Sequence, residues 1–406
     1  AILQAELAVV GARQLHFDLH LNVAGQADVG EKGVSRIAVP VCRAADQQAL
    51  EGQVKQLHIP AVRALQQLGG GIEGNALKAP NEAVAGFSIS RFLRSILREY
   101  LVVVAIVWLV LITVVVEPNF MTPANMLNIM RQFGPLVMVA LGMTFVIIGG
   151  FIDLSVAGTI SLVAVVTVTL IDPIGQVPAI MVGLAIGALC GYVNAKLVLS
   201  SGALTQAEAL FITFGMSTVY SAIALMYSGG STKHMRFIKG DVSVIEAIGQ
   251  GSVGFFSVSF VIFLVCLAVL WVFQTQTRMG RAICLTGGNK TAAHLCGVPV
   301  SRSIVAIYTI SGFMAAVGAI ILFSRITTAS PVIGAGYETN AILAVVVGGT
   351  TLKGGTGSVL RTVLGVLLVI LMSNCLNLLG VTPYMQVVLK GAILVVAIWL
   401  DNRKQS

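Results

Sequence analysis

From Ser88 to its end the chain alternates long apolar runs with short polar or Gly/Pro-rich interruptions. A run of about 20 apolar residues is what a helix needs to cross a bilayer core, because a helix satisfies its own backbone there. The runs at residues 101–116, 156–171, 177–199, 207–227, 255–273, 304–323, 360–379 and 387–400 predict such spans. Asn125 to Phe133 predicts a short interfacial helix, Gly134 to Ile148 a re-entry into the membrane, and Ala341 to Gly349 much of a further segment. The expected fold is an all-α polytopic membrane protein with about ten transmembrane helices. Just before the first span, Arg91, Arg94 and Arg98 recur among apolar residues at helical spacing, which predicts an amphipathic helix on the membrane surface.

Two of the apolar segments are interrupted by glycine pairs. The first reads Val146-Ile147-Ile148-Gly149-Gly150-Phe151-Ile152-Asp153-Leu154-Ser155, with apolar sequence on both sides. A carboxylate is costly at that depth, and irregular backbone is tolerated only where protein or a water-filled cavity satisfies it. The break therefore predicts a lined path. A second, Val345-Val346-Val347-Gly348-Gly349-Thr350-Thr351-Leu352-Lys353-Gly354-Gly355, follows roughly 200 residues later, and paired Gly-interrupted segments in corresponding halves point to a transport site.

Composition agrees with a membrane class: 56% of residues are hydrophobic and 10% charged, with a mean hydropathy of +0.92. The net charge of +8 suggests nucleic acid at first sight. In a membrane protein, however, surplus Lys and Arg mark cytoplasmic loops, so no nucleic-acid partner is expected. Arg91, Arg94, Arg98, Lys196, Arg278, Arg281, Lys290, Arg302, Lys353, Arg403 and Lys404 then share the inner side, with both ends of the membrane domain cytoplasmic. Lys233, Arg236 and Lys239 in the 231–254 loop are the exception. The six cysteines show no C-x-x-C pair, so neither a metal site nor a disulfide framework is indicated. No phosphate-binding G-x-x-x-x-G-K-[ST] loop occurs and no row of intramembrane acids suggests a proton relay, so active transport would draw on an energy source outside the chain. Residues 1–87 differ in composition, contain no apolar run long enough to span, and are expected to be an atypical extension, non-native or regulatory. The membrane domain covers residues 88–406.

The longest inner connection, residues 274–302, is ordered in composition. Gly287-Gly288-Asn289 reads as a turn followed by an N-cap, Lys290 to Cys296 as one to two helical turns, and Gly297 with Pro299 as a stop. Gly280-Arg281 followed by Gly288-Asn289, Ala292-Ala293 and Gly297-Val298 resembles the coupling loop of ribose-type sugar permeases of ATP-binding-cassette (ABC) importers. The segments Gly142 to Ile148 with Ile152-Asp153-Leu154-Ser155, Gly336-Tyr337-Glu338 through Gly348-Gly349-Thr350 to Ser358, and Ser373-Asn374 with Leu376 to Gly380 resemble the same family, in order, from about residue 90 to the end. There are departures. Phe151 stands where the family usually has Gly before Ile-Asp-Leu-Ser, Ala157 where a Gly is common, and the span opening at Ala207 lacks the usual proline.

The resemblance implies a subunit of the bacterial cytoplasmic membrane that carries a monosaccharide or similar small polar solute. Its partners would be separate ATPase subunits, a periplasmic solute-binding protein, a second copy or paralogue of the permease, and the lipid bilayer. No cofactor, metal or enzymatic activity is implied. Candidates along the path are Asp153, Ser155, Phe151, Thr350 and the glycines Gly149, Gly150, Gly348 and Gly349. Candidates for coupling to the ATPase are Gly280, Arg281, Gly287, Gly288, Asn289, Ala292, Ala293 and Gly297. Asp153 has a second reading, as a cap on the half-helix after the break. Phe151 either faces the path or packs, and Glu338 reads as an interfacial residue. The rival from another class is a self-sufficient ion-coupled transporter or channel that uses Asp153.

Overall fold

A computed structural model describes residues 101–405. The expected surface helix at residues 89–98 and the N-terminal extension lie outside them. The described chain forms thirteen α-helices, joined by short turns and two small two-stranded sheets. Seven helices are long and apolar enough to cross a membrane.

The chain runs from α1 (Leu101–Val116) through a 3-10 turn (Pro118–Met121) into α2 (Pro123–Ile148). Pro123 opens α2, where its missing N–H costs nothing, and Thr122 caps it by accepting from Asn125 N–H. The expected division into an interfacial helix and a re-entrant segment is corrected here: α2 is continuous through Pro135. Every residue from Phe133 to Ile148 is buried, so packing on all sides holds the helix together where proline removes one of its hydrogen bonds. α2 is the central post of the bundle.

α3 (Val156–Ile174), α4 (Gln176–Ser200) and α5 (Gln206–Ser228) follow. α3 continues three residues past the predicted 156–171 run, through Asp172-Pro173 to Ile174, and the Asp172 carboxylate accepts from the backbone N–H groups of Lys239 and Gly240 at 2.9 Å. In place of the proline missing from its start, α5 has a complete capping box: Thr205 accepts from Glu208 N–H and Glu208 accepts from Thr205 N–H. The loop beyond α5 holds β1 (Lys233–His234), a 3-10 turn, α6 (Ser243–Gln250) and the hairpin β2 (Ser252–Val253) and β3 (Phe256–Ser257).

α7 (Val258–Gln276), α8 (Arg278–Gly288) and α9 (Lys290–Leu295) lead to α10 (Val300–Ile326), β4 (Thr328–Ala329), α11 (Tyr337–Val347), α12 (Val359–Leu378) and α13 (Pro383–Gln405). β4 pairs antiparallel with β1, placing residues 233–234 beside 328–329 at the far end of α10 from α8 and α9. α10 packs on both α2 and α4. Its contact with α4 is nearly backbone to backbone: a Cβ at Gly187 would lie 2.6 Å from the Gly312 carbonyl oxygen, and one at Gly312 2.8 Å from the Gly191 nitrogen. By contrast α5 and α7 bury only 22% and 17% of their apolar stretches, against 89% for α2, and so leave most of their apolar surface uncovered by the rest of the described chain.

Candidate transport site: two helix breaks and a coupling loop

Both glycine pairs end a helix in the same way. At the end of α2, Gly150 N–H donates to Ile147 C=O and Phe151 N–H to Val146 C=O. At the end of α11, Gly349 N–H donates to Val346 C=O and Thr350 N–H to Val345 C=O. This is the Schellman arrangement, which requires a left-handed residue one place past the cap. Gly150 (φ 79°) and Gly349 (φ 89°) supply it. Residues 151–155 and 350–358 then run without helix until α3 and α12 begin.

The two breaks touch. Gly355 N–H donates to the Ile148 carbonyl at 2.8 Å, and a Cβ at Gly354 would stand 2.7 Å from Gly150 Cα. The end of α8 enters the same contact. A Cβ at Gly287 would collide with the Ile148 carbonyl oxygen and lie 2.7 Å from Gly355 N, and one at Gly355 would lie 2.8 Å from Gly288 Cα. Gly287 and Gly288 are therefore the last residues of α8, not the turn expected from the sequence. Helix geometry carries Gly287 into a seam that admits no side chain, while the exposed Gly288 leaves open space where a Cβ would stand.

Asp153 lies just after this seam and is 1% exposed. One carboxylate oxygen accepts from Ser155 N–H (3.0 Å) and Ser155 Oγ (2.6 Å), and the other from Ser311 Oγ of α10 (2.8 Å). Asn194 of α4 donates to Ser155 Oγ at 2.6 Å, and Tyr220 of α5 donates to Asn194 at 2.9 Å. The network ties the start of α3 to α4, α5 and α10. Part of it is a local turn in which Asp153 binds the backbone two residues on, as an Asp before a helix commonly does. Ser155 is 1% exposed, and Phe151, fully buried, packs its ring 6.0 Å from that of Tyr308. In the second break Gly348 is buried, Gly349 exposed, and Thr350 2% exposed with its hydroxyl unpartnered. Glu338 is half-buried at the start of α11.

The loop residues are ordered by caps. Thr277 accepts from Gly280 N–H at 3.0 Å, and a Cβ at Gly280 would clash with the carbonyls that end α7. Asn289 accepts from Ala292 N–H at 2.9 Å to start α9, and Gly297 (φ 74°) ends it. Ala293 is buried, whereas Arg281, Ala292, His294 and Leu295 are exposed, Leu295 at 82%. Three contributors escaped the sequence reading. Gln274 clasps the second break, donating to Gly357 C=O at 2.9 Å and accepting from Val359 N–H at 3.1 Å. Asn194 and Ser311 complete the Asp153 network; a polar Asn within the apolar run of α4 was the available signal for the first.

Residues 125–398 match the family model described as the branched-chain amino acid transport system / permease component. The ribose import permease of Haemophilus influenzae is 35% identical over 321 residues, covering 78% of this chain and 96% of that protein. The ribose import permease of Bacillus subtilis is 36% identical over 299 residues (73% and 91%). The galactose/methyl galactoside import permease of Escherichia coli is 32% identical over 325 residues (74% and 94%). No solved structure matches the chain. With the family model matching residues 125–398 and import permeases 32–36% identical over about three quarters of the chain, the chain belongs to this family of transport permeases.

Proposed function

We propose that the chain is the membrane-spanning subunit of an ABC importer that brings a monosaccharide or similar small polar solute into the cell, using ATP hydrolysed by separate ATPase subunits. The observation that carries this reading is the seam at Gly287, where the loop bearing α9 meets both helix breaks at once. A force applied to α9 reaches the two segments best placed to gate a path. The relatives are by name import permeases for ribose and for galactose/methyl galactoside, which supports a pentose or hexose as cargo.

In this reading seven long helices and three shorter apolar ones make ten membrane segments, with the glycine breaks in corresponding halves. The end carrying α8 and α9 faces the cytoplasm of a bacterial inner membrane, and the β1–β4 end faces a periplasmic solute-binding protein. A second copy or a paralogue completes the path. Gly349, exposed at the second break, borders it, while Gly149, Gly150, Gly348 and Thr350, with Asp153, Ser155 and Phe151, support it from the packed side. Arg281, Asn289, Ala292 and Gly297 shape the ATPase-facing surface. The ion-coupled alternative is not favoured, because both Asp153 oxygens already hold protein donors.

The test is purification of the tagged chain from its native membrane in mild detergent, with identification of co-purifying proteins. An ATPase subunit is expected with the intact chain and lost when residues 289–296 are scrambled. A chain that emerges alone would contradict the reading.

A further inference from the structure

Lys290 opens α9, yet its side chain does not join the exposed face formed by Thr291, Ala292, His294 and Leu295. Its ammonium lies 3.7 Å from the centre of the Phe151 ring and donates to the Leu204 carbonyl just before α5. Phe151 belongs to the first break and has no solvent exposure. Beyond it stands Tyr308 of α10. One side chain of α9 thus grips the residue that follows the left-handed Gly150. A cation over an aromatic face is attracted by the ring's quadrupole, most strongly where water is excluded. Burial pushes the Lys290 ammonium down from its ordinary range, with the Glu208 carboxylate pulling it partly back, as expected for a half-buried charge partly withdrawn from water.

We propose that Lys290 is a positioning residue that ties α9 to the first break, so that movement of α9 is transmitted to Phe151 and through Tyr308 to α10. The proposal rests on the reading of α9 as the surface on which an ATPase acts. The glycine seam offers a competing route, but it differs in kind. Gly287 meets Ile148 through backbone contact alone, which resists compression and offers no side chain to pull. The Lys290 contact resists separation, and it belongs to α9 itself. A glycine at position 151 would leave Lys290 no ring to hold.

Hydrogen exchange on the purified permease–ATPase complex, with and without ATP plus vanadate, separates the possibilities. In the wild type and in Lys290→Arg, nucleotide is expected to change exchange both at residues 290–296 and at residues 149–155. In Lys290→Met the first change persists, and the second shrinks by roughly two- to thirty-fold, the range a cation–π contact can supply. Phe151→Leu should match Lys290→Met, and the double variant should be no worse than either. If Phe151→Leu does not fold, the half-buried Lys290 variants decide alone. A nucleotide effect at residues 149–155 that survives Lys290→Met, or is absent from the wild type while residues 290–296 respond, would overturn the proposal. No nucleotide effect at residues 290–296 in the wild type, or no recoverable ATPase, would overturn the importer reading beneath it.

Discussion

Gly355 donates its backbone N–H to the carbonyl of Ile148 at 2.8 Å, joining the second helix break to the last turn of the helix that ends at the first. This hydrogen bond satisfies an acceptor that the Schellman turn leaves open, and it fixes the spacing of the seam into which Gly287 fits. Adjacent glycines in α8 consequently have opposite tolerances.

Gly287→Ala places a methyl group against backbone that cannot move aside, at the Ile148 carbonyl and Gly355 nitrogen. Overpacking of this kind costs about 1–3 kcal/mol. Gly288→Ala meets nothing nearer than Gly355 Cα at 4.0 Å and should stay within about 0.5 kcal/mol of wild type. Thermal unfolding of the two variants in detergent checks the contrast; equal shifts would count against the seam.

Gly349 isolates the conformational requirement of the break, since a Cβ there would meet no atom within 4 Å while φ is 89°. Gly349→Ala is expected to cost about 1–2 kcal/mol through left-handed backbone alone, and Gly349→Asn less. A β-branched Val should be worse than either. Relative unfolding temperatures of the three variants test the ordering.

Asp153→Asn replaces one carboxylate oxygen by a donor that faces either Ser155 or Ser311, each already donating. Breaking a fully buried network of this kind costs about 3 kcal/mol or more. Loss of folded, monodisperse protein in size-exclusion chromatography is expected. A well-folded variant with reduced flux would instead identify Asp153 as a group that meets the cargo. Ser311→Ala removes one donor and should be milder, about 1–3 kcal/mol.

The helix ends at both breaks were legible in the sequence because a left-handed turn selects glycine locally. Asn289 and Gly297 were legible as the limits of α9 for the same local reasons. The division between Phe133 and Gly134 misled, since α2, enclosed by α7, α10, α11 and α12, runs on through Pro135 with its packing holding it together. Gly287-Gly288 misled in the other direction: a glycine pair signals a turn only when the need is conformational, and here the need is steric and lies at Gly287 alone. Asp153 and Ser155 were singled out but their long-range partners were not. Ser311 is 158 residues from Asp153 and Asn194 is 39 from Ser155, and no local pattern announces contacts made by folding at that range. The Lys290–Phe151 contact was hidden likewise.

Asp241 governs how the loop beyond α5 is held. It accepts from Ser243 N–H and Ser243 Oγ at 3.0 Å and from Gln176 at 2.6 Å, while Gln176 in turn accepts from Val244 N–H. The Ser243 backbone N–H first, and then its hydroxyl, hold the Asp241 carboxyl below its ordinary value. A depressed carboxylate contributes stability above its unfolded pKa and loses it as pH falls through the folded one. Hydrogen exchange in Ser243–Gln250, corrected for the intrinsic rate, should therefore rise as pH drops from about 5 to about 3 in the wild type and not in Asp241→Asn. No pH effect in the wild type would contradict this account of the anchor.

In the proposed function this subunit moves a sugar at the expense of ATP hydrolysed by a partner that acts through α9. The most direct measurement is uptake of radiolabelled pentoses and hexoses by proteoliposomes containing the permease with its co-purified ATPase, with the binding protein added on the β1–β4 side and ATP supplied on the α9 side. Uptake that requires ATP and the ATPase, and that survives collapse of all ion gradients, is the predicted result. Uptake that proceeds without the ATPase and stops when an ion gradient is dissipated would contradict it.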